Sequence, residues 1–229
     1  MMEHRGPDGA GLWPSRNVAR PHALLGHRRL SIVELSEASA QPFVVRDSAG
    51  KVLGVLVYNG ELYNTRELQS HLGAHRDSDQ TRIAGDTYTL AHVLAMEGCE
   101  AISKLRGMYA FAWLDYQRNQ CVLARDPLGI KPLLFALEHA GSPATPHVLF
   151  ASEMPALLEL RSKVCPPEPD LAVVSAYLST IRTTLGNRTL MQGVHTLLPG
   201  EVRTWDLHTM QERTITRAWQ APSRRAQLS

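Results

Sequence analysis

Short apolar runs broken by polar, Gly- or Pro-bearing turns recur along the chain, and only a few stretches carry amphipathic-helix spacing. Val52 to Tyr58 is one such run. The turn signal Asp47 to Gly50 precedes it, and with Pro42 to Val45 it predicts a β-hairpin. Residues 22–35 read as strand material broken by Arg28 and Arg29. Asn64-Thr-Arg-Glu67 predicts a helix start in which the Asn side chain accepts from an orphan amide and the Glu reaches back; Gly73 is the stop. A second helix is predicted from about Thr87 to Gly98, because Leu90, Val93 and Leu94 fall on one face. Tyr109 to Leu114 and Gln120 to Arg125 read as strands joined by the polar turn Asp115 to Asn119, with Met108, Phe111 and Trp113 as core residues. Further on, His147 to Ser152 reads as a strand, Met154 to Leu160 and Leu171 to Leu178 as helices, and Gly200 to Trp205 as a strand.

Strands in runs, with helices between non-adjacent runs, predict an α+β fold rather than strict βαβ alternation. Residues 218–229 have few large apolar side chains and read as a tail. The expected organisation is therefore one domain over 1–215 and a linker or tail over 216–229.

Composition narrows the function classes. A formal net charge of +2 gives no basis for a nucleic-acid or membrane partner. No apolar run approaches the roughly 20 residues a membrane helix needs, and no basic-then-apolar signal opens the chain, so a cytoplasmic location is expected. Cys99, Cys121 and Cys165 form neither a CxxC nor a metal-ligand spacing, which predicts reduced thiols and no metal site.

Eight short segments carry more than their composition. They are His4-Arg-Gly-Pro-Asp-Gly9, Gly26-His-Arg-Arg-Leu-Ser-Ile-Val33, Tyr58-Asn-Gly-Glu-Leu-Tyr-Asn64 and Gly85-Asp-Thr87. After them come Leu105-Arg-Gly-Met-Tyr-Ala-Phe-Ala112, Ala124-Arg-Asp-Pro-Leu-Gly-Ile-Lys-Pro132, Phe150-Ala-Ser-Glu153 and Leu197-Leu-Pro-Gly200. In this order and spacing they resemble the class II glutamine amidotransferase domain of glutamine-dependent asparagine synthetases, from about residue 3 to about residue 205.

The resemblance implies an N-terminal nucleophile hydrolase fold: two antiparallel sheets packed face to face, with helices outside both. It implies that an N-terminal cysteine thiolate attacks the side-chain amide of glutamine, with the free α-amine, ordinarily titrating at about 7.7–8.0, as base. A γ-glutamyl thioester then forms and is hydrolysed, and the ammonia passes to a site where ATP activates aspartate. Mapped onto this sequence, Asn59 and the Gly60 backbone N–H supply the oxyanion hole. Arg29 grips the substrate α-carboxylate with its guanidinium fork. Glu61 and Asp86 hold the α-ammonium, and Leu30, Ile32 and Val33 complete the substrate-binding set. Taken locally, Asn59-Gly60 is a hairpin signal and Asp86 a helix N-cap. Arg28 is expected on the strand's opposite face, and Asp79 is rejected as a second candidate for the acidic role. His4, Arg5 and Asp8 are expected to hold a loop, while Arg125, Asp126 and Lys131 are structural or line an ammonia route.

The sequence also departs from that pattern. The chain begins Met1-Met-Glu-His4, with no Cys-Gly-Ile opening, and no internal cysteine can pair a thiol with a free α-amine. Without the family's first strand and helix, a remodelled sheet, a strand-donating partner or an upstream start is expected. There is no Ser-Gly-Gly-x-Asp-Ser pyrophosphate loop, so ATP and Mg are expected only on a synthetase domain outside these residues. Gly85-Asp86-Thr87-Tyr88 replaces the usual Ser-Asp-Thr-Glu. The expectation is a glutamine-binding amidotransferase half, inactive alone; the alternative is a non-catalytic scaffold or docking module for a separate synthetase subunit.

Overall fold

Apolar strands buried on both faces at the centre of the molecule build this protein as a stack of two antiparallel sheets. The computed structural model describes residues 4, 6, 9–14, 23–29, 40–73, 85–138, 146–162 and 165–218. In chain order the elements are β1 (Gly9–Trp13), β2 (Leu25–Arg29), β3 (Phe43–Arg46), β4 (Val52–Leu62), α1 (Thr65–Gly73) and α2 (Asp86–Glu97), then a 3₁₀ turn at Gly98–Lys104. They continue with β5 (Gly107–Asp115), β6 (Gln120–Arg125), β7 (Leu134–Glu138), β8 (His147–Ala151), α3 (Met154–Ser162) and α4 (Leu171–Thr180). The last are β9 (Thr184–Leu185), β10 (Arg188–Thr189), β11 (Val194–Thr196), β12 (Glu201–Asp206) and β13 (Glu212–Arg217). One sheet has the order β13-β12-β6-β5-β4-β3, the second β8-β7-β11-β10-β9, and β1 pairs with β2 in a separate ladder.

The period of two divides β5 between two cores. Tyr109, Phe111 and Trp113 face Leu68 and Leu72 of α1 and Leu90, Val93 and Leu94 of α2. Ala110, Ala112 and Leu114 face the other way, packing with Phe135 and Leu133 from the second sheet and with Trp205. Leu25 of β2 joins this inter-sheet core beside Val55 and Val57 of β4. Ala156 and Leu157 of α3 close the outer face of the second sheet over Ala136, Ala151 and Val194. The layers thus run helices, sheet, sheet, helix, the four-layer arrangement the resemblance implies. Of the expected core residues, Phe111 and Trp113 are buried, while Met108 is half-buried.

Most predicted elements fall where the pattern put them, but three local readings change. Asn64 does not cap α1 as expected: its Oδ1 accepts from the Arg106 N–H at 3.0 Å, and its Nδ2 donates to the Lys104 carbonyl at 3.0 Å. Its side chain ties the helix to the start of β5 instead. Gly85, not Asp86, is the N-cap of α2. At the C-terminal end the expected boundary at 215 falls inside β13, and the Ala218 N–H still donates to the Gly200 carbonyl at 2.9 Å. The short strands β9, β10 and β11, and β13 itself, have no clear apolar signal in the sequence.

Asp170 shows how a single side chain fixes a helix end. It accepts from the Ala172 and Val173 N–H groups at 3.2 and 3.3 Å, and from Arg188 at 2.8 and 2.6 Å. The Arg188 bond first, then the two cap bonds, hold its carboxyl below the usual aspartate range despite the opposing cost of burial. A depressed native value stabilises the fold above the unfolded-state value of about 3.9, and that gain disappears as pH falls through the native value. Asp170→Asn is therefore expected to be less stable than wild type at pH 7, with the gap narrowing below about pH 4; denaturant melts across pH check it.

Candidate functional site

The geometry of β4 at Asn59 and Gly60 follows from its neighbour. Gly60 pairs with Tyr109 in an unbroken ladder from Gly54 to Leu62, so Asn59-Gly60 lies inside a strand, not at a hairpin turn. Tyr109 turns both backbone groups away from β4. Its N–H donates to Asp126 Oδ2 at 3.3 Å, and its carbonyl accepts from the Asp126 N–H at 2.8 Å. In an antiparallel pair such a residue faces a partner whose N–H and C=O also point outward. The Gly60 N–H therefore projects from the far edge of β4. There β3 has already ended, its last rung being Phe43 opposite Leu56.

Side chains close that edge on either side of Gly60. At residue 58, Gln41 imitates a strand: its Oε1 accepts from the Tyr58 N–H at 2.6 Å, and its Nε2 donates to the Tyr58 carbonyl at 3.0 Å. At residue 62, Asp86 Oδ2 accepts from the Leu62 N–H at 3.4 Å. Two residues along a strand span roughly 7 Å. The outward Gly60 N–H thus lies between an amide clamp and a carboxylate at that spacing. Among the described residues, the edge at Gly60 carries no strand.

The Asp86 carboxylate also accepts from the Tyr58 hydroxyl at 2.9 Å. Tyr58 is buried, and its burial, then the charge and hydrogen bond of Asp86, then the charge of Glu61, push its phenol far above the ordinary range. By strand alternation Asn59 and Glu61 share the face of Val55 and Val57, whereas Asp86 arrives from the α2 side. Glu61 is exposed and Asn59 half-buried. The backbone of Arg29 pairs with Gly9 at the end of β2. Its side chain, together with Leu30, Ile32, Val33, Asp79, Arg5 and Asp8, lies outside the described residues.

Gly60 has a second reason to be glycine. A Cβ there would lie 2.2 Å from the Met108 carbonyl oxygen and 2.8 Å from the Tyr109 Cα. The sheet itself excludes a side chain, independently of any ligand.

Asp126, fully buried, is the support beneath this edge. Besides Tyr109, its carboxylate accepts from the Leu128, Ile130 and Lys131 N–H groups, each at 3.0 Å. Arg125 donates to the carbonyls of Lys131, Gly129 and Leu197 at 2.6–2.7 Å. Arg125 and Asp126 therefore serve the loop after β6, as the structural reading has it. His4 Nε2 lies 3.1 Å from Glu153 Oε2, linking the first segment to the start of α3. Two clefts, of about 380 Å³ at Glu67 and His71 and about 280 Å³ at Asp170 and His195, open elsewhere and do not border the β4 edge.

A family model for the glutamine amidotransferase domain matches residues 1–219. The chain belongs to that family. Over 158 residues it is 35% identical to asparagine synthetase B (glutamine-hydrolysing) of Escherichia coli strain K12, covering 69% of this chain and 25% of that protein. Over 202 residues it is 33% identical to amidase chry2 of Gibberella zeae, covering 87% of this chain and 26% of that protein. The chain thus spans about a quarter of the length of these curated relatives. Its fold is similar to that of the glutamine phosphoribosylpyrophosphate amidotransferase from B. subtilis, with TM-score 0.52, 21% identity, and coverage of 86% of this chain and 35% of that one. The two sheets and flanking helices are an N-terminal nucleophile hydrolase fold.

For a glutamine amidotransferase domain, thiol placement matters, and Cys99 and Cys121 are shielded thiols. Burial, then the Asp115 charge, pushes Cys99 up to about 11, and burial alone pushes Cys121 up to about 12. Neither is a thiolate near neutral pH. Cys121 pairs with Leu114, whereas Asn59 pairs with Ala110. That is four residues along β5, or roughly 13 Å. Cys165 follows α3, where it receives a bond from Arg161 at 3.8 Å. Among the described residues no group of three or more His, Cys, Asp or Glu side chains is arranged to hold a metal ion. No helix among them is long and apolar enough to cross a membrane.

Sequence reasoning missed two residues at this edge, Gln41 and Tyr58. Gln41 gives no local signal, since its role is a bond across 17 positions. Tyr58 sits in the Tyr58-Asn-Gly-Glu61 motif but reads as one more apolar strand residue.

Proposed function

We propose that this chain is the glutamine-binding half of an asparagine synthetase-like amidotransferase, and that these 229 residues bind glutamine without hydrolysing it. The observation that carries this reading is the outward Gly60 N–H on an open strand edge, bracketed by the Gln41 clamp and the Asp86 carboxylate. A glutamine laid along that edge would place its amide oxygen at the Gly60 N–H and the Asn59 carboxamide. Its α-ammonium would lie toward Asp86 and Glu61, with Arg29 as partner of its α-carboxylate. Donors fixed in this way stabilise an oxyanion without reorganising.

Hydrolysis needs a nucleophile, and among the described residues no cysteine lies at the edge. Under this proposal, glutaminase activity would require a cysteine with a free α-amine. ATP and Mg²⁺ would belong to a synthetase domain, and the setting would be cytoplasmic. The test is glutamate release by the purified chain. None above background is expected, and release abolished by Cys99→Ser, Cys121→Ser or Cys165→Ser would overturn the inactivity.

A second reading, a docking module, has one observation in its favour. Of the apolar residues on α4 only Val173 is buried, while Leu171, Leu178 and the C-cap residue Ile181 are 71–81% exposed. Large exposed apolar patches mark interaction sites. Leu178→Asp with Ile181→Asp is expected to change stability by less than about 0.5 kcal/mol. The pair should abolish association with a co-expressed synthetase subunit, read by co-purification; unchanged association would remove α4 from this role.

A further inference from the structure

We infer that Tyr58 is a positioning residue for the ligand α-ammonium, acting through Asp86. The inference rests on the reading of the β4 edge as the glutamine site. Asp86 is the first residue of α2, and its N-cap is Gly85, which has no side chain to orient the carboxylate. A free carboxylate at that position would rotate about its side-chain torsions. The structure shows what holds it instead. The Tyr58 hydroxyl at 2.9 Å and the Leu62 N–H at 3.4 Å both donate to Oδ2. With Oδ2 held by these two donors, the inference assigns the other carboxylate oxygen, Oδ1, to the cation.

Tyr58 is well made for this task. Its ring is buried among Leu56, Leu62, Leu90 and Leu94, so the hydroxyl has little freedom. The Gln41 amide clamps its backbone on both the N–H and C=O. Burial first, then the charge and hydrogen bond of Asp86 and the charge of Glu61, raise the pKa of its phenol, so the hydroxyl stays protonated and donates. One residue thereby links the carboxylate to the strand that carries Asn59 and Gly60.

The test is calorimetric titration of wild type, Tyr58→Phe and Asp86→Asn with glutamine and with 4-carbamoylbutanoate, which is glutamine without its α-amine. Tyr58→Phe is expected to weaken glutamine binding about tenfold while changing the affinity for the des-amino acid less than twofold. On the Asp86→Asn background, Tyr58→Phe is expected to leave glutamine affinity unchanged, since the two residues act in series. A parallel loss for both ligands, an additive loss in the double variant, or unchanged glutamine affinity in Tyr58→Phe overturns the inference while leaving the site intact. If wild type binds no glutamine, the site reading fails and the inference goes with it. Thermal melts of each variant separate misfolding from lost binding.

Discussion

Asp126→Ala is expected to destabilise the domain by about 4 kcal/mol. The buried carboxylate receives four backbone N–H groups, from Tyr109, Leu128, Ile130 and Lys131. Removing it strands all four, and each unsatisfied buried donor costs about 1–3 kcal/mol before relaxation. The loop of residues 126–132 is close enough to water for part of that cost to be recovered, which keeps the expectation below the simple sum. Asp126→Asn separates charge from shape. Oδ1 serves Leu128 and Ile130 while Oδ2 serves Tyr109 and Lys131, so a carboxamide can satisfy only one pair and turns a donor toward the other. About half the loss is expected, near 2 kcal/mol. Denaturant melts of the two variants check both values. Because Asp126 also turns Tyr109 away from β4, both variants are expected to weaken glutamine binding beyond their effect on the folded fraction.

Gly60→Ala is expected to cost about 3 kcal/mol or more and to abolish ligand binding. The added methyl would meet the Met108 carbonyl oxygen at 2.2 Å, a backbone atom fixed in the middle of the six-stranded sheet. β5 cannot retreat easily, because it is held on its other side by β6 from Ala110 to Asp115 and by the Asp126 bonds to Tyr109, so the shift falls on β4 and displaces the edge that carries the Gly60 N–H. Gly73→Ala is the control: a Cβ there meets nothing within 4 Å, and a shift under about 1 kcal/mol is expected. If Gly60→Ala melts like wild type, the close approach of β4 and β5 at this rung is wrong.

The central strands were legible in the sequence as short apolar runs. β4, β5 and β6 are buried on both faces along most of their length, so an apolar run bounded by a polar turn marks each of them and local information suffices. Asn59-Gly60 shows where local information misleads: the dipeptide carries a turn signal, but the ladder with β5 runs straight through it. Its glycine is required by a neighbour some fifty positions away. Asn64 likewise carries a cap signal that two tertiary partners override. The resemblance picked out Asn59, Gly60, Glu61 and Asp86, and the fold places Gly60 and Asp86 on one strand edge. It could not reveal Gln41 or Tyr58, whose contributions are bonds across the sheet. The very short strands β9 to β11 leave too few residues for any period to show.

Calorimetric titration of the chain with L-glutamine decides whether the β4 edge is a glutamine site. A saturable one-to-one isotherm is expected, lost in Arg29→Ala and Gly60→Ala, with no glutamate formed. A chain that melts cooperatively yet gives no heat with millimolar glutamine would contradict it.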